Sequence, residues 1–345
     1  MLGERIKRAR IKGGLSLDAL ALKANNIVTK QAISQYEKNQ KNPSSSVLIA
    51  LANALDVGVE YFFRTVDVEI GKVDFRKHSA FGKKKQEIVK EKVREYLERY
   101  IQIEDILDMQ EPFVNPIENE KLETLDDIEE IVNKLRNEWG LGIDPLYNVV
   151  EMLELRNIKV LLLEDEKKFN GLCGKANDDD CHPFIVLNTN AELTDDRKRF
   201  TALHELGHML LPKHNEDEEK ASDRFAGAFL FPKESVLKEF GKKRSKISIE
   251  ELKHIKLKYG ISIAGIIFRL HDLKIISDSM FKRFWIRNRT AKFDENIPLI
   301  KKEKVSRFKN LLAHAYSEQL VSLSKLAELS RLSVDEALAK YGELV

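Results

Sequence analysis

The chain has 345 residues, long enough for two or three domains, and 43% of them are hydrophobic, enough to build separate cores. Lysine plus arginine exceed aspartate plus glutamate by only two, which removes any whole-chain electrostatic argument for a polyanion partner. Cys173 and Cys181 are too few for a disulfide framework and wrongly spaced for CxxC, and no run offers a signal core or a membrane span, so a cytoplasmic protein with no membrane partner is expected.

Charge is unevenly spread, for residues 1–65 hold ten Lys/Arg against five Asp/Glu. A first helix runs from Leu2 to the glycines at 13 and 14, and Ser16 caps a second over 17–24. Thr29 caps a third to about Lys38, with Ala32, Ile33 and Tyr36 facing inward. A turn at Asn42-Pro43-Ser44 leads to a fourth over 47–55, and Tyr61, Phe62 and Phe63 close a five-helix domain spanning residues 1–65. The stretch AISQYEKNQKNPSSSVLIALANALDV resembles the lambda-repressor-like (XRE) helix-turn-helix family. That resemblance implies a third helix in the major groove of double-stranded DNA, presenting Thr29, Lys30, Gln31, Ser34 and Gln35.

Residues 66–120 read as a helical connector. Residues 66–75 alternate as a short strand or arm, and 83–107 form a long amphipathic helix with a basic, solvated face, a spacer or the dimer-forming element of a homodimer. Pro112 and Pro116 break the pattern, and helices follow over 126–139 and 146–155.

Residues 121–290 carry the chemistry. Segments 159–163, 170–175 and 183–188 read as a small antiparallel sheet with an acidic turn at 177–180, and 184–188 is the candidate edge for an extended peptide. An HExxH motif follows, His204-Glu205-Leu206-Gly207-His208. On a helix, residues four apart share a face, so both imidazoles can bind one Zn²⁺ while Glu205 stands ready as a general base. Two residues compete as third ligand. His214 has the metzincin spacing but Leu211 replaces the turn glycine that geometry needs. Glu219 opens an ExxxD on the next helix, with Asp223 one turn on to hold a ligand histidine, and Glu218 is its register alternative. The residues favour Glu219, since a His₂Glu site keeps one position open for water.

The segments RFTALHELGHMLL, EKASDRFAGAFLFP and LKYGISIAGIIFRLHDLKII are similar to the ImmA/IrrE family of metallopeptidases. The resemblance implies a compact zincin-like fold of gluzincin type, metal ligands His204, His208 and Glu219, general base Glu205, Asp223 where relatives carry Asn or Asp, and one Zn²⁺ per chain. It also implies a protein substrate, a repressor or partner regulator whose cleavage controls stress or mobile-element genes. Arg269 and Tyr259 read as structural. Residues 291–345 form a small helical tail over 308–317, 324–330 and 333–341, preceded by Lys301, Lys302, Lys304 and Arg307, with helix-turn-helix proportions and a nucleic-acid or packing role.

The expected fold class is multidomain, mainly α with an α+β part. The expected function is a DNA-binding regulator with a zinc endopeptidase; the alternative is a non-catalytic or antitoxin-like regulator using the zincin fold as a sensor or protein-binding module.

Overall fold

The computed structural model describes residues 1–65, 67–71, 82–164, 170–177, 182–189, 194–213, 215–294, 297 and 302–342. His214, Cys181, Lys301, half of the 66–75 arm and most of the 177–180 turn lie outside these residues. The chain divides into two compact units: residues 1–111 with 176–180 and 306–345, and residues 112–175 with 181–305. The expected connector helix and the three tail helices belong to the first, while residues 291–305 of the expected tail belong to the second. Among the described residues no helix is long and apolar enough to cross a membrane.

The first unit begins with α1 (Leu2–Lys12), α2 (Leu17–Lys23) and α3 (Lys30–Glu37). The Ser16 and Thr29 hydroxyls accept hydrogen bonds from the Ala19 and Ala32 amides, satisfying donors that the first turn leaves open. Helix α4 (Ser45–Leu55), capped by Ser44, starts ahead of its expected beginning at Val47, and the expected fifth helix is a 3₁₀ turn, Val59–Phe63. Ile6, Leu20, Ile33 and Leu51 are fully buried at the centre of this domain. Helix α5 (Lys83–Ile106) then packs along α1.

In the second unit, α6 (Ile128–Glu138) and α7 (Val149–Glu154) precede β1 (Lys159–Leu163), β2 (Gly171–Ala176) and β3 (His182–Asn188). The sheet order is β1-β3-β2, with β1 parallel to β3 and Lys159 opposite Phe184. This corrects two expectations. The sheet is not wholly antiparallel, and residues 184–188 lie in the central strand, buried at every position, so they are no edge. An unbroken apolar run is what a strand covered on both faces requires, and β1 and β2 are the edges.

Helices α8 (Asp195–Leu210) and α9 (Glu218–Leu230) form the most extensive helix pair, and α8 also packs on β3. Around them lie α10 (Lys233–Phe240), α11 (Ile249–Tyr259), α12 (Ile263–Asp272) and α13 (Asp278–Ala291). Polar side chains anchor this core. The Arg136 guanidinium donates to the carbonyls of Gly142, Asp144 and Phe229 at 2.7, 2.6 and 2.5 Å, tying α6 to the end of α9. Arg269 binds Glu129 with both terminal nitrogens at 2.7 and 2.9 Å. Burial alone would raise the Glu129 carboxyl, but Arg269 and Arg224 hold it below the usual glutamate range. Glu303 accepts from the Val149 and Val150 amides at the start of α7 and from Arg199 at 2.7 Å. Tyr259 is buried with its hydroxyl donating to Glu239, so Arg269 and Tyr259 are both packed as structural residues.

The first unit is completed by α14 (Arg307–Ser317), α15 (Leu323–Ser330) and α16 (Val334–Tyr341). Phe308 stacks on Tyr100 with ring centroids 5.2 Å apart, joining α14 to α5. Because α5 is covered from more than one side, its acidic residues Glu91, Glu95, Glu98 and Glu104 are buried together with Arg99, while Lys83 and Lys84 are exposed and Lys90, Lys92 and Arg94 half-buried. Glu98 pairs with Arg5 at 2.5 Å, Glu95 with Arg99 at 3.1 Å and Arg64 at 3.4 Å, and Arg64 continues to Glu328 of α15 at 2.8 Å. Lys12 is buried beside this network, its ammonium 5.3 Å from the Tyr61 ring centroid and without a hydrogen bond among the described residues.

Burial pushes the Lys12 ammonium down to about 8 against the opposing pull of Glu95. A lysine whose folded pKa lies below its ordinary 10.5 disfavours folding below pH 8, and the penalty is relieved as pH rises between these values. Lys12→Met is therefore expected to raise stability at pH 7 by up to about 3 kcal/mol and to abolish the gain on going to pH 10. Denaturant melts at the two pH values check both; equal or lower stability of the variant at pH 7 would contradict the assignment.

Candidate metal centre

Helix α8 is apolar over much of its surface, and Ala202, Leu203 and Leu206 are fully buried. This fixes its rotation and turns Phe200, His204 and His208, at spacings of four, along one face. Helix α9 starts where the Asp217 carboxylate accepts from the Glu219 and Lys220 amides, both at 3.0 Å. That cap places Glu219 in the first turn, where the helix dipole favours a carboxylate.

The two helices approach closely at Gly207. A Cβ there would lie 3.2 Å from the Ser222 Cα and 3.2 Å from the Phe225 ring, so an unsubstituted residue lets the backbones pass. The approach brings α8 and α9 donors together. His204 Nε2 and His208 Nε2 are 3.0 Å apart, and the Glu219 carboxylate oxygens lie 3.5 Å from the first and 3.8 Å from the second. Nitrogen ligands around 2.0–2.1 Å from a tetrahedral ion are themselves separated by about 3.3 Å, so the donor set has the size a zinc ion requires. Among the described residues, this trio of His and carboxylate donors converges to within 4.8 Å, and Glu218 is not part of it.

Asp223, one turn along α9, sits 2.8 Å from His204 Nδ1. A carboxylate there accepts the Nδ1 proton and fixes the tautomer that leaves Nε2 as a lone-pair donor. Glu205 is buried at 8% exposure, beside the start of β2. A Cβ on Gly171 would lie 3.1 Å from Glu205 Cγ and 2.6 Å from the Thr201 methyl, so glycine lets edge strand β2 run close to this carboxylate. Sequence reasoning placed the histidines and acids but missed Gly171 and Gly207, although a glycine inside a helical pattern is a usable signal of close approach. Cys173 is buried and does not join the trio.

On α3 and its cap, Thr29, Lys30, Gln31 and Gln35 are exposed and Ser34 is half-buried. Thr29 is engaged as the cap and Lys30 pairs with Asp18 at 3.0 Å, while Gln31 and Gln35, one turn apart, are exposed. Of the cations in residues 1–65, Arg5, Arg8, Arg10 and Arg64 are held in internal ion pairs, so the local positive excess overstates the charge offered to solvent.

Residues 6–62 match the family model described as helix-turn-helix, and residues 156–271 match the model described as IrrE N-terminal-like domain. The chain joins a helix-turn-helix domain to an IrrE-like domain. A comparison with curated proteins finds no match. The IrrE-like match runs from β1 to α12, enclosing both α8 and α9, and ends before α13. Residues 6–62 are thus an XRE-type helix-turn-helix domain and residues 156–271 a peptidase-like domain of the ImmA/IrrE kind.

Replacing Gly207 by alanine is expected to push α9 away by tenths of an ångström and to cost about 1–3 kcal/mol of stability. Thermal melts should show the loss; an unchanged melting temperature would mean that the crossing tolerates a methyl group.

Proposed function

We propose that this chain is a DNA-binding transcriptional regulator whose IrrE-like domain is a zinc-dependent endopeptidase acting on a protein partner. The observation that carries the reading is the convergence of His204, His208 and Glu219 with Glu205 alongside. In this reading His204 and His208 hold the ion through Nε2, Glu219 supplies a carboxylate oxygen, and Asp223 keeps the His204 ring in register. Zinc, when bound at such a site, supplies a Lewis acid that polarises a carbonyl and lowers the pKa of water. Glu205 takes the proton from the attacking water and returns it to the leaving amine, and its burial excludes competing solvent. Strand β2, an edge of the sheet next to Glu205, is the element on which an extended peptide would align its backbone. The substrate is a protein regulator, the DNA target is read by Gln31 and Gln35 in the major groove, and the regulator acts as a homodimer.

Metal analysis is expected to give one zinc per chain, lost in His204→Ala, and Asp223→Asn should weaken zinc binding by roughly 10–100-fold. Glu205→Gln should retain the metal while slowing cleavage of a regulator encoded nearby by about 100-fold or more. Equal cleavage by wild type and Glu205→Gln, or none by either, would refute the peptidase reading and leave a metal-binding scaffold. For DNA, Gln31→Ala and Gln35→Ala should each cost about 1–3 kcal/mol at the promoter site and relax sequence preference, measured by titration at fixed salt. Unchanged preference would remove α3 as the reading helix.

A further inference from the structure

A cavity of about 690 Å³ opens in the second unit next to the metal trio, between the first half of α8, the middle of α9, α12 and α13. Its volume is that of small-molecule sites. Asp223 forms part of the wall shared with the metal centre: its carboxylate meets His204 Nδ1, while the imidazole's other nitrogen faces Glu219. Phe200, whose ring centroid lies 6.2 Å from that of His204, continues the wall.

Two features of the lining define what fits. Phe200, Phe268 and Trp285 present aromatic surface, with Phe268 and Trp285 5.3 Å apart between centroids. Phe268 is 48% exposed although it belongs to the helix that carries buried Arg269, so apolar surface faces the open space. The second feature is charge. The lining carboxylates Asp196 and Asp294 are both paired with Lys256, and Asp223 is engaged by His204. Arg269 is satisfied by Glu129, and Arg224 by Glu129 and Asp126, with Asp272 at 3.9 Å. Arg197 and Lys220 are different: among the described residues their side chains have no hydrogen bond or ion pair, and both border the cavity. Both are exposed at the rim, so their charged groups are available to a ligand entering from solvent.

We infer that the cavity is a binding site for a small planar anion, its ring against Phe200, Phe268 and Trp285 and its acidic group on Arg197 and Lys220. Aromatic faces and cations at one concave site give a ring-bearing anion both of its contacts, dispersion and charge-assisted hydrogen bonds. Trp285 lies on α13, beyond the segment that matches the IrrE-like model, so this wall is supplied by the chain's own extension. Binding here does not depend on the peptidase reading, because neither the ring contacts nor the two cations include a residue of the metal trio.

The chain contains only two tryptophans, Trp139 and Trp285, so a Trp139→Phe background isolates the cavity reporter. The full-length protein would be titrated with adenosine monophosphate and, separately, with phenylacetate, following Trp285 emission and heat release. These arms distinguish a nucleotide from an aromatic carboxylate; adenosine and acetate test the ring and the charge alone. Saturable binding of at least one full probe in the range of roughly 1–100 µM is expected. Arg197→Ala with Lys220→Ala should weaken it about tenfold or more, and Phe268→Ala should weaken it with circular dichroism unchanged. Failure of both probes to saturate below about 1 mM, or undiminished binding in the double variant, would overturn the assignment.

Discussion

The close crossing of α8 and α9 at Gly207 is the constraint from which the candidate centre follows. Two histidines four residues apart define a face but not a site, because a third donor must come from another helix at a separation set by packing. Here that separation is limited by backbone against backbone, Gly207 against Ser222, rather than by adaptable side chains. The apolar layer beneath, with Leu206, Phe225 and Phe229 fully buried, holds both helices at that spacing. The Asp217 cap then sets the register of α9, so that Glu219 and not its neighbour Glu218 reaches the imidazoles. Packing sets the distance and capping chooses the residue.

Buried guanidinium groups serve a related purpose in the second unit. Arg136, Arg199 and Arg269 each span two or more segments by donating to carbonyls and carboxylates left open at helix ends and loops. The planar fork satisfies several acceptors at once, which a lysine cannot do. Such groups contribute less as net stabilisation than as placement, for a displaced segment would leave a buried charge unpaired. Arg199 lies on α8, and Arg136 and Arg269 donate to the Phe229 and Phe231 carbonyls at the end of α9, so both helices that present the donors are tied by such groups.

Much of this was legible in the sequence. Caps at Ser16 and Thr29, the apolar run before HExxH and the ExxxD after it are local signals, and the corresponding helices and strands lie close to the expected spans. What was not legible is long-range. Whether β1 joins β3 or β2 depends on the crossover, so periodicity could not distinguish a parallel central strand from an antiparallel edge. Charge counting also misled, since Arg5, Arg10 and Arg64 are spent on Glu98, Glu37 and Glu328, acids up to 264 residues away in sequence. Helix α5 illustrates the same limit: its lysines stay at least partly exposed, as a basic face would, but α1 and α14 cover its glutamates and turn them into buried pairs, which periodicity does not reveal. Helix α13 has no fully buried residue and therefore weak patterning, and the sequence reading passed over the aromatic wall it supplies.

The composition of the first unit, residues 1–111 closed by 306–345, makes the IrrE-like unit an insertion rather than an appendage. The helix-turn-helix segment is synthesised first, but the acceptor of Arg64 on α15 and the ring of Phe308 that covers Tyr100 emerge last. Until then Arg64 lacks Glu328. Closing so long an intervening stretch carries a loop-entropy cost that falls once the inserted unit has folded and brought its own ends to fixed positions. The connectivity thereby makes the Arg64–Glu328 pair and the Phe308–Tyr100 stack contacts that close the first unit across the whole inserted stretch.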